Sequence, residues 1–224
     1  MYHSNSQPVP NINVKFEVTV EANSGGHQHN VNRPKGTVTP AEGSTGPDGL
    51  GHPFTFTAPA PAGDHKIKAT CIGQECTQEG PDKVWVGVKD LLNVPSSGFW
   101  ELIGDTTTHP ANHYLNGDAL GKLMDLARLY KQVYFPFDQV LRLNDAGLER
   151  GGVFDLGTMW GPPHHEHRRG MVIDIRANGT ATAIPQRNFE DFQELMGSLG
   201  MTWLRENVNI TGGHYHVKLL GLAQ

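Results

Sequence analysis

The chain has 224 residues, of which 37% are hydrophobic and 18% charged, an ordinary balance for a globular protein that can bury a core. Its formal net charge of −5 gives no electrostatic reason to expect nucleic acid or an anionic membrane surface as a partner. No apolar run approaches the roughly 20 residues of a membrane span, and the polar residues 1–10 contain no apolar signal-peptide core. The 12 histidines cluster, and histidine is the commonest metal ligand.

The first half of the chain shows the alternation of apolar and polar residues that is typical of strands. Residues 14–20 alternate without a break, and shorter alternating segments follow at 54–57, 65–71 and 83–88, with one more short strand at 36–39. Gly and Pro residues between these segments mark turns. Several short strands without a helical period predict a β-sandwich.

Cys71 and Cys76 are the two cysteines of the chain, and turn residues flank them. A structural zinc site would usually draw on more cysteines or on a Cys-x-x-Cys knuckle. The pair therefore predicts a small disulfide loop in an oxidising compartment, with two reduced thiols as the alternative.

Two helices are predicted in the second half. Asn116 can cap a helix that runs to about Tyr134, and Asn188 can cap a second helix that ends at Gly200. The apolar stripe of the first helix consists of Leu120, Leu123, Met124, Ala127, Tyr130 and Tyr134.

Strands are predicted between and after these helices, at 140–143, 171–175, 201–205 and 214–220. The second half is therefore mixed, and the chain is predicted to be α+β with a central antiparallel sheet in its second part. Since the pattern changes near Pro95, we divide the chain into a β-sandwich domain at 1–95 and an α+β domain at 96–224.

An acidic residue inside an apolar strand is the first chemical signal. Asp174 interrupts the apolar run 171–175, and His167 lies seven positions earlier, at the mouth of the strand. A buried carboxylate without a partner costs several kcal/mol. A metal ion is a suitable partner, whereas a hydrogen-bonded core network is the alternative.

A His-x-His pair in the last strand is the second signal. His214 and His216 point the same way, because residues two apart in a strand share a face. Two histidines and one carboxylate, His167, Asp174 and His216, would leave a fourth position of tetrahedral Zn²⁺ open for water, as catalytic sites do. The prediction is a mononuclear zinc site with His214 beside it.

The order His-x6-Asp and then His-x-His resembles the LAS-type zinc peptidases. These include lysostaphin-like endopeptidases, D-Ala-D-Ala carboxypeptidases and dipeptidases, and penicillin-insensitive murein endopeptidases, with hedgehog signalling domains as relatives. The segments 151–155 and 162–175 are most similar to the murein endopeptidases. The resemblance covers about residues 110–220.

The resemblance implies that His167, Asp174 and His216 bind zinc and that His214 acts as base or stabilises the oxyanion. It also implies peptidoglycan as substrate and an extracytoplasmic location, which the cysteine pair favours too. One departure is Gly213, where the carboxypeptidase and dipeptidase branches have a catalytic Glu. Another is Glu166, where the group often has Ser. Without a Glu at position 213, His214 is left to handle the proton, with Glu166 as the alternative.

Three further residues are candidates for substrate binding. Asp155 and Trp160 are predicted to line a cleft, with a structural role as the alternative. Arg142 is predicted to stabilise a tetrahedral intermediate, with a solvated strand arginine as the alternative.

Four other histidines are expected to be solvent-exposed. His27 and His29 lie in a Gly- and Asn-rich segment that reads as a solvated loop, with weak metal binding as the alternative. His109 and His113 precede the first predicted helix, where exposure or capping is the default.

The sequence therefore predicts a zinc metallopeptidase that hydrolyses peptide or amide bonds, with an N-terminal domain that resembles a bacterial immunoglobulin-like domain. One alternative is a non-catalytic, zinc-stabilised protein for binding or cell-surface recognition. Another is an extracellular adhesive protein without metal.

Overall fold

The computed structural model of the protein describes residues 8–73, 81–134, 140–155, 160–161, 165–177, 184, 188–206 and 213–221. These residues form mainly β-structure with two α-helices, in keeping with the predicted α+β class. No helix among them is long and apolar enough to cross a membrane.

The N-terminal part consists of antiparallel strands. Its strands are β1 (Asn13–Val20), β2 (Thr37–Thr39), β3 (Glu42–Ser44), β4 (Thr55–Thr57), β5 (Gly63–Cys71) and β6 (Asp82–Val86). A four-stranded sheet has the order β3-β1-β5-β6, and β2 pairs with β4 in a second sheet. All the strands predicted from alternation in this region form, whereas β3 was not predicted.

A small apolar core joins the two N-terminal sheets. Val18 of β1 and Ile67 of β5 pack with Val38 of β2, and partly buried aromatic residues of both sheets surround them. This arrangement follows from the alternation, because every second side chain faces inward. Cys71, at the end of β5, is disulfide-bonded as predicted, and Cys76 lies outside the described residues. The immunoglobulin-like character of this part remains a prediction.

The C-terminal part is built around a five-stranded sheet with the order β12-β13-β11-β10-β8. Its strands are β8 (Trp100–Leu102), β10 (Leu141–Leu143), β11 (Val172–Arg176), β12 (Thr202–Glu206) and β13 (His214–Lys218). The prediction of an antiparallel sheet is wrong in one place, since β8 and β10 are parallel. Two short strands, β7 (Leu91–Asn93) and β9 (Tyr114–Asn116), pair with each other beside it.

Two helices, α1 (Gly117–Tyr134) and α2 (Phe189–Ser198), cover one face of this sheet. Leu123 of α1 and Phe192 of α2 lie in one large core with Ile173 and Ile175 of β11. Because side chains alternate along a strand, Asp174 lies on the opposite face.

The boundaries of both helices agree with the prediction. One predicted cap and one predicted buried residue do not. The side chain of Asn116 caps α1 by accepting a hydrogen bond from the Ala119 amide at 2.8 Å. Asn188 occupies the corresponding position of α2 but makes no capping hydrogen bond with its side chain. Met124, predicted within the apolar stripe of α1, is 52% exposed.

Candidate metal centre

The predicted ligands His167, Asp174 and His216 converge on the sheet face opposite the helices. Asp174 lies directly across from His216 in the antiparallel register of β11 and β13, so the two side chains leave the sheet on the same side. Asp174 Oδ1 lies 2.9 Å from His216 Nδ1 and 3.5 Å from His167 Nε2. One atom from each residue lies within 4.8 Å of the others, so this group can hold a metal ion.

The third ligand, His167, comes from a short 3-10 helix, His165–Arg169, that leads into β11. Gly170 closes this helix with a φ of 62°, and its N–H donates to the His167 carbonyl at 3.1 Å. A Cβ there would lie 2.7 Å from Leu91 and 2.9 Å from the Asn116 nitrogen. Glycine therefore lets the chain pass close to β9 and brings His167 over the sheet.

Charge at the centre favours an ionised Asp174. Burial alone raises the pKa of Asp174, but hydrogen bonds with His167 and His216 outweigh burial and lower it. Burial by itself lowers the pKa of His216. Asp174 and then Glu166 have the opposite effect, and the pKa of His216 is raised above its usual value. Asp174 thus carries a fully buried negative charge, which either a protonated His216 or a bound cation would neutralise.

Glu166 contacts the far side of His216. Its carboxylate lies 2.8 Å from His216 Nε2 and accepts a hydrogen bond from Lys218 at 2.7 Å. The bond with Lys218, and then that with His216, lowers the pKa of Glu166, so it is a carboxylate. An acceptor at Nε2 fixes the proton there and leaves Nδ1 of His216 to face Asp174. The sequence did not predict this contact with His216 and left Glu166 only as the alternative to His214 for handling the proton.

His214 lies beside the three ligands and reaches solvent. Its Nε2 is 3.5 Å from Asp174 Oδ2 and 3.5 Å from Glu206, and its side chain is 15% exposed. A cleft of 460 Å³ opens next to it along β12 and β13. The cleft is lined by Glu166, Thr202, Trp203, Leu204, Glu206, His216 and Lys218. A molecule in this cleft would therefore reach His216.

Arg142 forms an ion pair with an acidic residue of the neighbouring strand. It is on β10, and its Nε donates to Glu101 of the neighbouring strand β8 at 2.7 Å. Its role in stabilising an intermediate stays a prediction.

Asp155 and Trp160, the other predicted substrate-binding residues, belong to a second group. Asp155 is fully buried and lies among the rings of His27, His29 and His109. The expectation that these histidines are solvated is wrong, because their exposed fractions are 0%, 7% and 2%. His113 is also buried, at 5%.

The sequence held one usable signal for this second group. His27-x-His29 has the same spacing as His214-x-His216. However, His109 and Asp155 are about 80 and 130 positions away in the chain, and nothing in the local pattern predicts their approach.

No protein-family model matches this chain, and no curated protein does. The similarity to LAS-type peptidases accordingly rests on the sequence motifs alone and stays a prediction.

Proposed function

We propose that this protein is a zinc-dependent hydrolase of peptide or amide bonds and that peptidoglycan peptides are its substrate. The observation that carries the proposal is the approach of His167, Asp174 and His216 next to an open cleft. The resemblance of their spacing to that of the LAS-type peptidases supplies the substrate class.

The distances fit zinc. Ligand atoms about 2.0–2.1 Å from a tetrahedral ion lie about 3.3 Å from one another. The two distances from Asp174 Oδ1, 2.9 and 3.5 Å, lie on either side of that value. Two imidazole nitrogens and one carboxylate oxygen are also the donor set of known catalytic zinc sites. Three protein ligands leave one position of a tetrahedron for water or substrate.

A bound zinc ion supplies a water whose pKa is lowered to about 7 and polarises the substrate carbonyl. The remaining work belongs to side chains. His214 is placed to move a proton, since its Nε2 lies at the rim of the group and also faces two carboxylates. Hydrolysis breaks the C–N bond of the amide and adds water, whose oxygen goes to the new carboxyl group and whose hydrogen goes to the new amine.

Glu166 contacts His216 directly, and Lys218 contacts Glu166. Through the 2.8 Å contact at Nε2, Glu166 orients the His216 ring, and Lys218 keeps Glu166 ionised and in place. We therefore assign Glu166 as a positioning residue.

The test is hydrolysis of purified peptidoglycan by the zinc-loaded protein, followed through the new amine and carboxyl termini among the released peptides. We expect release that a chelator abolishes and that zinc restores. His52→Ala is the matched control and should retain full activity, because it removes an exposed histidine that is more than about 100 positions from the three proposed ligands in the chain.

A protein that carries zinc on His167, Asp174 and His216 but releases no termini from peptidoglycan or from its isolated stem peptides would contradict the proposal. That result would favour the alternative of a zinc-stabilised binding protein.

A further inference from the structure

The second histidine group has the shape of a tetrahedron. Nδ1 of His27, Nε2 of His29 and Nε2 of His109 are separated by 3.3, 3.2 and 3.2 Å. Asp155 Oδ1 lies 3.7, 3.3 and 3.2 Å from the same three nitrogens. All six edges are close to the value of about 3.3 Å expected for four ligand atoms around one zinc ion.

The orientation of the rings provides a second, independent measure. Rings that point their nitrogens at one zinc ion have centres about 3.2 Å from the ion and about 5.2 Å from one another. The observed distances between ring centres are 5.2, 5.2 and 5.1 Å, with interplanar angles of 84°, 75° and 86°. The three rings are therefore directed at a common centre and do not stack on each other.

Hydrogen bonding within the group does not explain this arrangement. Asp155 Oδ1 is buried and faces three ring nitrogens at once, of which His109 Nε2, at 3.2 Å, is the nearest. Its other oxygen, Oδ2, accepts from the Trp160 amide at 2.9 Å. A buried carboxylate oxygen left in this way is costly unless a cation meets it.

We propose that His27, His29, His109 and Asp155 form a second zinc site, closed to solvent, that fastens the N-terminal sheet to the C-terminal part. Three imidazole nitrogens and one carboxylate oxygen in a tetrahedron suit Zn²⁺. Four protein ligands occupy every position of the ion, so the site is structural and does not take part in hydrolysis.

Trp160 covers this site. Its ring centre lies 4.3 Å from that of His29 and 4.8 Å from that of His27. Its indole N–H donates to the Val31 carbonyl at 2.7 Å. The contacts of Trp160 and Asp155 thus favour the structural role that the sequence left as the alternative to substrate binding.

The site joins segments that are distant in the chain. His27 and His29 come from the loop after β1, whereas His109 and Asp155 come from the C-terminal part. The Gln28 amide donates to the Thr108 carbonyl at 2.8 Å, which brings the two loops together.

The site also lies next to the candidate catalytic centre. Phe154 packs between the two groups, with its ring centre 5.1 Å from that of His109 and 6.1 Å from that of His167. A zinc ion bound to Asp155 would therefore hold Phe154 against His167.

Metal analysis of the purified full chain tests the proposal. We expect two zinc ions per chain in the wild type, one in Asp174→Asn, one in His29→Ala and two in the control His52→Ala. Cobalt substitution of Asp174→Asn should give the intense visible absorption of a tetrahedral ion. This count does not depend on hydrolysis, so the second site can fail or succeed separately from the proposed function.

A second measurement covers the case in which His29→Ala does not fold. In Asp174→Asn, which retains the four residues of the second site, a chelator should lower Tm and one equivalent of zinc should restore it. The proposal is overturned if Asp174→Asn binds no zinc, or if its Tm is unchanged by the chelator. It is also overturned if folded His29→Ala retains two zinc ions.

Discussion

The two histidine groups of this protein are made of the same residue types but differ in ligand number and in access. The group of His27, His29, His109 and Asp155 offers four ligand atoms, and none of the four residues is more than 7% exposed. The group of His167, Asp174 and His216 offers three, and His216 lines a cleft. This difference separates a site suited to structure from one suited to catalysis, because only the second leaves a coordination position that substrate can reach.

The side chains that surround the two groups also differ, in polarity and in exposure to solvent. Around the open group, His214 and Glu166 approach the ligands from the solvent side, with side chains 15% and 45% exposed. Around the closed group, Trp160 and Phe154 place aromatic rings against the histidines. Proton transfer needs the first kind of surrounding, whereas exclusion of water needs the second.

The largest effect expected is that of Asp174→Asn. Loss of this ligand should remove the zinc ion of the open group and with it several kcal/mol of transition-state stabilisation, so that kcat/KM falls by about 10³-fold or more. The measurement is the initial rate of peptide release together with the zinc content. If Asp174→Asn lost one zinc ion but hydrolysed substrate at the wild-type rate, catalysis would belong to the closed group and not to the open one.

His214→Ala should have the next largest effect. A lost proton-transfer group typically slows the reaction by about 10²–10⁴-fold, and we expect kcat to fall by about 10²-fold with both zinc ions retained. KM should change little, because His214 is not assigned to substrate binding. A loss of zinc in step with activity would instead make His214 a ligand.

Glu166→Gln should weaken zinc binding at the open group alone. Removal of the charge that orients His216 is expected to raise the zinc Kd by about 10-fold, within the 10–100-fold range for partners of metal-bound histidines. Chelator competition measures the Kd of each site, and Glu190→Gln, on the exposed surface of α2, is the matched control. Equal weakening of both sites, or of neither, would show that Glu166 does not position His216.

Arg142→Ala is expected to have the smallest effect. Since Arg142 is paired with the half-exposed Glu101, its removal should cost at most about 1 kcal/mol in the free energy of unfolding and leave kcat within about twofold. Arg128→Ala, which breaks another exposed pair, is the control. If kcat instead fell by about 10²-fold or more, the predicted role of Arg142 in stabilising the intermediate would be restored.

Local pattern was enough for the parts of the fold in which neighbours along the chain decide the structure. A segment of about ten residues was enough to predict each of three features. They are the alternation in β1 and β5, the capping Asn116 of α1 and the buried run of β11. The short strands β3 (Glu-Gly-Ser) and β7 (Leu-Leu-Asn) were not predicted, because their residues do not alternate between apolar and polar.

The open group was predictable because Asp174 and His216 belong to two neighbouring strands and His167 lies in the short helix that leads into one of them. The side of the strand on which His214 and His216 lie follows from their spacing, and Asp174 stands out as an acid in an apolar run. By contrast, the closed group depends on loops brought together by tertiary packing. In isolation, a Gly- and Asn-rich segment with two histidines is polar and resembles a solvated loop, although His27 is fully buried.

The pairing of β7 with β9 bears on how this protein can be dissected by truncation. The change in sequence pattern near Pro95 invites a cut at that position, yet Leu91–Asn93 on one side pairs with Tyr114–Asn116 on the other. Val94, 1% exposed, also belongs to the large core. A fragment that begins at residue 96 would therefore expose an unpaired strand edge and a hole in its hydrophobic interior, so a fragment of the second half should begin before Leu91.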